Sequence, residues 1–251
     1  MDIKKHSITL LISSLLTSVG TTSAFADGIP ENIQLAAEQV LVRANDAEAA
    51  TLDPAKAEGM PEMHILRDLF EGLVIQDRNG NIVPGVAQSW ETEDNQTFVF
   101  HLRKDAKWSN GDSVTADDFV YALRRAVDPQ LASPNVWYLE MTRIKNIVDV
   151  AEGKLPVEEL GVEALDNYTL RFELEAKVPY FVAMTGHTSM MPVHKATVEQ
   201  GVKPWSDPKQ FVGNGAFVLD KWVVNERIEL KKNPNYWDAD DTQLTSVTYI
   251  P

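Results

Sequence analysis

The residues able to do chemistry are few. His187 and His194 stand seven apart with Met190 and Met191 between them, the one place where soft donors gather. Such a set suits copper or nickel. Its spacing lacks the His-x-x-x-His of a single helix face, however, and it reads as a loop with one buried histidine and core methionines. Asp117-Asp118 and Asp240-Asp241 are adjacent pairs, so the members of each point apart and take no acid and base roles. The first pair suits a helix start. Gly213-Asn214-Gly215 has neither the following spacing nor the lysine of a phosphate loop, and reads as a turn before a strand. There is no cysteine and no G-x-S-x-G, hence no thiol nucleophile and no serine elbow. The six tryptophans and six tyrosines suit a ligand cleft, but core is the reading for most of them. No catalytic residue, metal or cofactor is expected.

Local patterns predict the elements that would position these residues. Gln39–Asn45 reads as a short buried strand around Val40, Leu41 and Val42. Pro61 stands at the first position of a helix that buries Ile65, Leu66, Leu69 and Phe70, with Gly72 at its end. Asn79-Gly80 predicts a two-residue hairpin between Leu73–Ile75 and Ile82–Val83. Thr97–Leu102 and Tyr168–Leu174 alternate as half-buried strands. Thr115 and Asp118 have capping-box spacing ahead of the stripe Phe119, Val120, Leu123, Ala126 and Val127. Val178–Met184 and Val193–Gln200 look helical. Ala216–Val224 and Arg227–Lys231 form a hairpin around Asn225-Glu226, and Ser246–Ile250 is a last strand. The mixture is α and β without internal repeats. An apolar strand running straight to Pro251 suggests an incomplete domain.

The first residues read as a cleaved secretory signal over 1–26: Lys4 and Lys5, an apolar run from Ile8 to Val19, and Ala24-Phe25-Ala26. The run is too short to span a bilayer. The remaining 225 residues carry about −15, against −14 for the whole chain. That charge disfavours nucleic acid and anionic membranes. A leader without cysteine is not that of a lipid-anchored protein, so the expected place is free in the periplasm of a double-membraned bacterium.

Ordered segments then carry a resemblance. They are Leu52-Asp53-Pro54, Glu58-Gly59 with Pro61-Glu62, Asp68 through Leu73, and Pro84-Gly85-Val86-Ala87 with Ser89-Trp90. The run from Phe98 to Gly111 (FVFHLRKDAKWSNG) follows, with Val114 to Tyr121 (VTADDFVY) and Val178-Pro179-Tyr180-Phe181. Asn214-Gly215-Ala216, Trp222 to Arg227 (WVVNER) and Asn233 to Trp237 close the set. In this order they resemble the family 5 solute-binding proteins of ABC importers, and WVVNER points to the oligopeptide branch over the nickel, dipeptide and haem branches.

The resemblance implies a mixed α/β fold, periplasmic binding protein type II-like, of cluster C, with three lobes. Residues 27–70 and 195–251 would belong to lobe I and 71–194 to an inserted lobe II. Lobe III would be missing, since family members are roughly twice as long. It implies a monomeric, non-enzymatic subunit that holds an extended oligopeptide and delivers it to a membrane permease and ATPase complex. Glu58, Gly59 and Met60 match a ligand-contacting loop, and His187 matches a histidine beside the peptide. Asn135 stands where a close relative has a ligand-contacting tyrosine, so that contact is in doubt and Trp137 offers an aromatic surface instead. The family's anchor for the peptide amino terminus comes from the later half, so weak peptide binding is expected of this chain alone. Another solute in the same fold (murein peptide, dipeptide, haem or nickel), a truncated product without transport role, and a secreted hydrolase stay open as alternatives.

Overall fold

The structure, a computed structural model, describes residues 36–200 and 207–251; the expected signal segment lies outside them. In chain order the described elements are β1 (Val40–Ala44), α1 (Met60–Leu69), β2 (Val74–Gln76), β3 (Ile82–Pro84), β4 (Ala87–Glu91) and β5 (Thr97–Leu102). Then come α2 (Ala116–Val127), α3 (Val136–Met141), α4 (Ile147–Ala151), β6 (Val162–Asp166), β7 (Thr169–Glu173), α5 (Phe181–Met184) and α6 (Lys195–Glu199). β8 (Phe217–Val223), β9 (Arg227–Lys232) and β10 (Ser246–Ile250) finish it. The mixed α/β class is as the sequence predicts.

One sheet runs β1-β10-β9-β8, with β1 parallel to β10 and the other pairs antiparallel. It draws its strands from both ends of the described chain. A second, wholly antiparallel sheet runs β4-β5-β7-β6 and draws only on the middle. β2 and β3 form a separate hairpin.

Alternation builds the second sheet. Phe98, Phe100 and Leu102 of β5 are buried, and Phe98 faces Phe172 across the β5–β7 register while Phe100 faces Leu170. Phe181 of α5 closes over them, its ring centroid 4.9 Å from Phe98 and 5.1 Å from Phe172. Each buried phenylalanine contributes roughly 1.5–3 kcal/mol of transfer free energy. α2 buries the predicted stripe, and Asp118 accepts from the Thr115 N–H at 2.8 Å, closing the expected cap. The same carboxylate accepts from the buried Trp108 indole at 3.2 Å.

α1 joins the sheets, and its ends depart from expectation. Gly59 is the N-cap and Pro61 the second helical residue. The helix ends at Phe70, which turns extended, and not at Gly72. Its last carbonyls are met by the Phe70 N–H, donating to Leu66 at 2.8 Å, and by the Gly215 N–H, donating to Leu69 at 3.0 Å. That approach explains Gly213-Asn214-Gly215: a Cβ at Gly213 would stand 2.2 Å from the Leu69 carbonyl oxygen, and one at Gly215 2.5 Å from that of Asp68. Asn214 between them brackets Glu71, accepting from its N–H at 3.0 Å and donating to its carbonyl at 2.9 Å.

Other differences have local causes. The β2–β3 loop is five residues, because Asp77 Oδ1 captures the N–H groups of both Asn79 and Asn81 at 2.8 Å. The β8–β9 turn is three residues, with Asn225 at φ 59°. β1 is a strand, but an exposed one: among the described residues it pairs on one side only, and Val40, Leu41 and Val42 are exposed. β4, α3, α4 and β6 have no prediction behind them.

Candidate functional site

The loop Asp53–Gly59 leads into α1 and is held by three side chains from α2 and the segment before α3, the half-buried Arg125 and the buried Ser133 and Asn135. Arg125 donates to both Asp53 carboxylate oxygens, at 2.9 and 2.6 Å. Ser133 Oγ donates to the Ala55 carbonyl at 2.5 Å. Asn135 Nδ2 donates to the Ala57 carbonyl at 2.8 Å. Inside the loop, Asp53 Oδ1 accepts from the Ala55 N–H at 3.0 Å, and its backbone carbonyl accepts from the N–H groups of Lys56 and Ala57. A backbone with its polar groups so paired has little freedom left.

This frame presents Glu58 and Met60 to solvent, with Gly59 half-buried between them. Glu62, one turn on, accepts from the Gly59 N–H at 3.1 Å and from the Ala50 N–H at 2.7 Å. A Cβ at Gly59 would lie 2.6 Å from Glu62 Oε2, so a larger residue here would require the Glu62 side chain to shift. Asn135, by contrast, is buried with its amide spent on Ala57, and it acts on the site through the loop.

α3 links this loop to His187. Two residues after Asn135, Trp137 is 60 % exposed and its ring packs edge-on against Tyr138, centroids 5.9 Å apart. Tyr138 stacks on His187 at 3.9 Å and donates to the Met184 carbonyl at 3.0 Å. His187 Nδ1 accepts from the Ser189 N–H at 3.2 Å and lies 2.8 Å from the Ser189 hydroxyl. Burial, and after it the Arg67 guanidinium, push the imidazole below its ordinary range, so it is neutral at neutral pH. With Nδ1 accepting, the proton sits on Nε2, which has no hydrogen-bond partner among the described residues. The site therefore offers a fixed, neutral donor.

A pocket of about 220 Å³ opens beside Gly186, with Arg67 of α1, Met191 and Tyr236 among its walls; His187 does not line it. Sequence reasoning missed Arg67 and Tyr138. The signal for Arg67 was its place one turn past His64 on the α1 face away from Ile65 and Leu66; for Tyr138, nothing short of its contact with His187 would serve. His187 and His194 belong to different neighbourhoods: His194 packs on Trp108 and bonds Asp112 at 3.1 Å and Thr197 at 2.7 Å.

Over residues 81–251 the sequence matches the bacterial extracellular solute-binding proteins, family 5 Middle, and the chain belongs to that family. It is 49 % identical over 228 residues to the periplasmic oligopeptide-binding protein OppA of Escherichia coli K12, a match covering 91 % of this chain and 42 % of that protein. Among solved structures it is similar to the Escherichia coli murein tripeptide binding protein MppA, with TM-score 0.85, 46 % identity, and coverage of 86 % of this chain and 42 % of that one. It is equally similar to Haemophilus influenzae OppA in complex with RPPGFSPFR, with TM-score 0.84, 46 % identity, and coverage of 86 % and 42 %. The chain thus spans a little under half the length of the relatives it matches.

Proposed function

We propose that this chain contributes one wall of an oligopeptide site in a periplasmic solute-binding subunit of an ABC importer. The observation that carries the reading is the fixed His187 Nε2 donor, joined through Tyr138 and α3 to a clamped loop that exposes Glu58 and Met60. A site for extended peptides needs preorganised polar groups that meet the peptide backbone, with side chains left to roomy surroundings. The likeness to oligopeptide-binding proteins, one in complex with a nonapeptide, supports the same reading.

In this reading Glu58, Gly59, Met60 and His187 touch ligand, Asn135 positions the loop, and Trp137 borders the site. The sheet β1-β10-β9-β8 corresponds to lobe I and the sheet β4-β5-β7-β6 to an inserted lobe II, divided near residues 70 and 194. No bond is made or broken. The ligand favours a closed arrangement with a facing lobe, and only that differential affinity drives closure. The closed, monomeric protein then docks on its permease and ATPase partners. Delivery to the periplasm rests on the signal segment expected over 1–26.

The test is an NMR titration of the chain with RPPGFSPFR, observing the Met60 methyl and the His187 ring. Saturable shifts at both are expected, reduced at both in Glu58→Ala and at the Met60 methyl in His187→Ala. Shifts confined to other surfaces, or none at millimolar peptide, would sink the assignment.

A further inference from the structure

A second surface lies beyond this site. Trp137, Met141, Val148 and Tyr180, four of the large apolar side chains that the described residues expose, line one groove of about 550 Å³. Trp137 and Tyr180 are 60 % and 64 % exposed. Scattered apolar side chains on a surface need no explanation, whereas several converging on one concavity mark an interaction site. Aromatic residues give rigid contact area and methionine adapts to what it meets.

The groove is preformed. One wall is α3, α4 and the turn between them, the other the segment before α5, and backbone bonds stitch them together. The Glu175 N–H donates to the Arg143 carbonyl at 2.8 Å, the Lys145 N–H donates to the Glu173 carbonyl at 2.8 Å, and Ile144 bridges Leu174. Arg143 itself holds φ at 60°, a left-handed conformation that glycine or asparagine adopts at less cost. Such strain is kept where surrounding structure imposes it, often at sites of use.

Charge selects the occupant. On a chain of net charge −14 this groove is lined by two cations, Arg143 and Lys177, against the single acid Glu140. Neither cation forms an ion pair with a described residue, although Asp94 stands near enough to Lys177 to feel its charge. An apolar floor beside two cations without an ion pair among the described residues fits an apolar side chain next to a carboxylate. The groove also adjoins the face described above, since Trp137 contacts Tyr138 and Tyr138 stacks on His187.

We propose that the groove docks the carboxyl-terminal residue of a peptide, its apolar side chain against Trp137 and Tyr180 and its carboxylate held by Arg143 and Lys177. The inference goes beyond the peptide wall proposed above and stands without it. The probe is N-acetyl-Leu-Phe, titrated into the chain by NMR beside its carboxyl-terminal amide. Saturable binding of the acid is expected, with the amide at least fivefold weaker. Trp137→Ala and the double variant Arg143→Glu/Lys177→Glu should each weaken the acid fivefold or more, while His187→Ala changes it less than twofold. Tyr180→Ala, another exposed position, repeats the test should either variant lose its fold. Loss of acid binding in His187→Ala with none in Trp137→Ala would overturn the groove and leave the peptide wall standing. Equal affinity for acid and amide overturns the charge assignment. Tighter binding of decanoate than of the dipeptide overturns the peptide in favour of a lipid-like acid, and self-association abolished by Trp137→Ala overturns it in favour of a second copy.

Discussion

The carboxyl of Glu71 is buried and accepts hydrogen bonds from the Tyr236 hydroxyl and, at 2.8 Å, from the Trp237 indole. Arg103 lies over the Trp237 ring, 3.3 Å from its centroid. Burial outweighs these favourable neighbours and pushes the group up to about 7, with Asp238 adding a smaller rise. An unfolded chain releases this proton near 4.5, so the folded form holds it through a window in which the unfolded form has lost it. Stability from this group is therefore full below 4.5, falls as pH rises to about 7, and is level above. Glu71→Gln keeps both partners, since its carbonyl accepts from Trp237 and its amide donates to Tyr236, and it removes the titration. The cost of the substitution, by urea unfolding, should fall by about 3 kcal/mol between pH 4 and pH 8. A cost independent of pH would mean that Glu71 titrates alike in both states.

At the scale of elements, the clamp on the 53–59 loop is the feature that turns sequence into site. Asn135→Ala removes the donor to Ala57 and leaves a buried carbonyl unpaired. The expected outcome is a loss of about 1–3 kcal/mol and faster amide exchange confined to residues 55–59, read by mass spectrometry; uniform exchange would show that the bond does not hold the loop. This clamp was not legible beforehand. Asp53 and Asn135 stood out in the sequence, but the pairings Asp53–Arg125, Ala55–Ser133 and Ala57–Asn135 each span more than seventy residues, and no local pattern carries them. The alternation of β5 and β7 and the cap of α2 were legible, because period and capping chemistry are local. β1 marks the limit from the other side: Val40-Leu41-Val42 names a strand correctly and says nothing of what covers it. Val42→Thr should accordingly change stability by no more than about 0.5 kcal/mol, and a cost above 2 kcal/mol would show that β1 is buried in solution.

Across the whole molecule, the proposed peptide face is open on one side. Glu58 and Met60 are exposed, and the pocket beside Gly186, at about 220 Å³, holds a side chain or two and not a peptide. A peptide lying on such a face keeps most of its surface in water while still losing translational and conformational freedom, so its affinity falls far below what a closed cleft gives. Binding of RPPGFSPFR to this chain should be in the millimolar range by calorimetry or NMR. Electrostatics then set how that weak affinity varies. The chain's formal charge is −14 and the peptide carries two arginines, so long-range attraction favours the encounter and salt screens it. Raising ionic strength from 20 to 300 mM should weaken RPPGFSPFR severalfold and leave an analogue with both arginines replaced by glutamine nearly unaffected. Equal salt response of the two peptides would mean that the acidic surface lies too far from the site to act on the ligand. Micromolar affinity at any salt would mean that this chain encloses its peptide without a facing lobe.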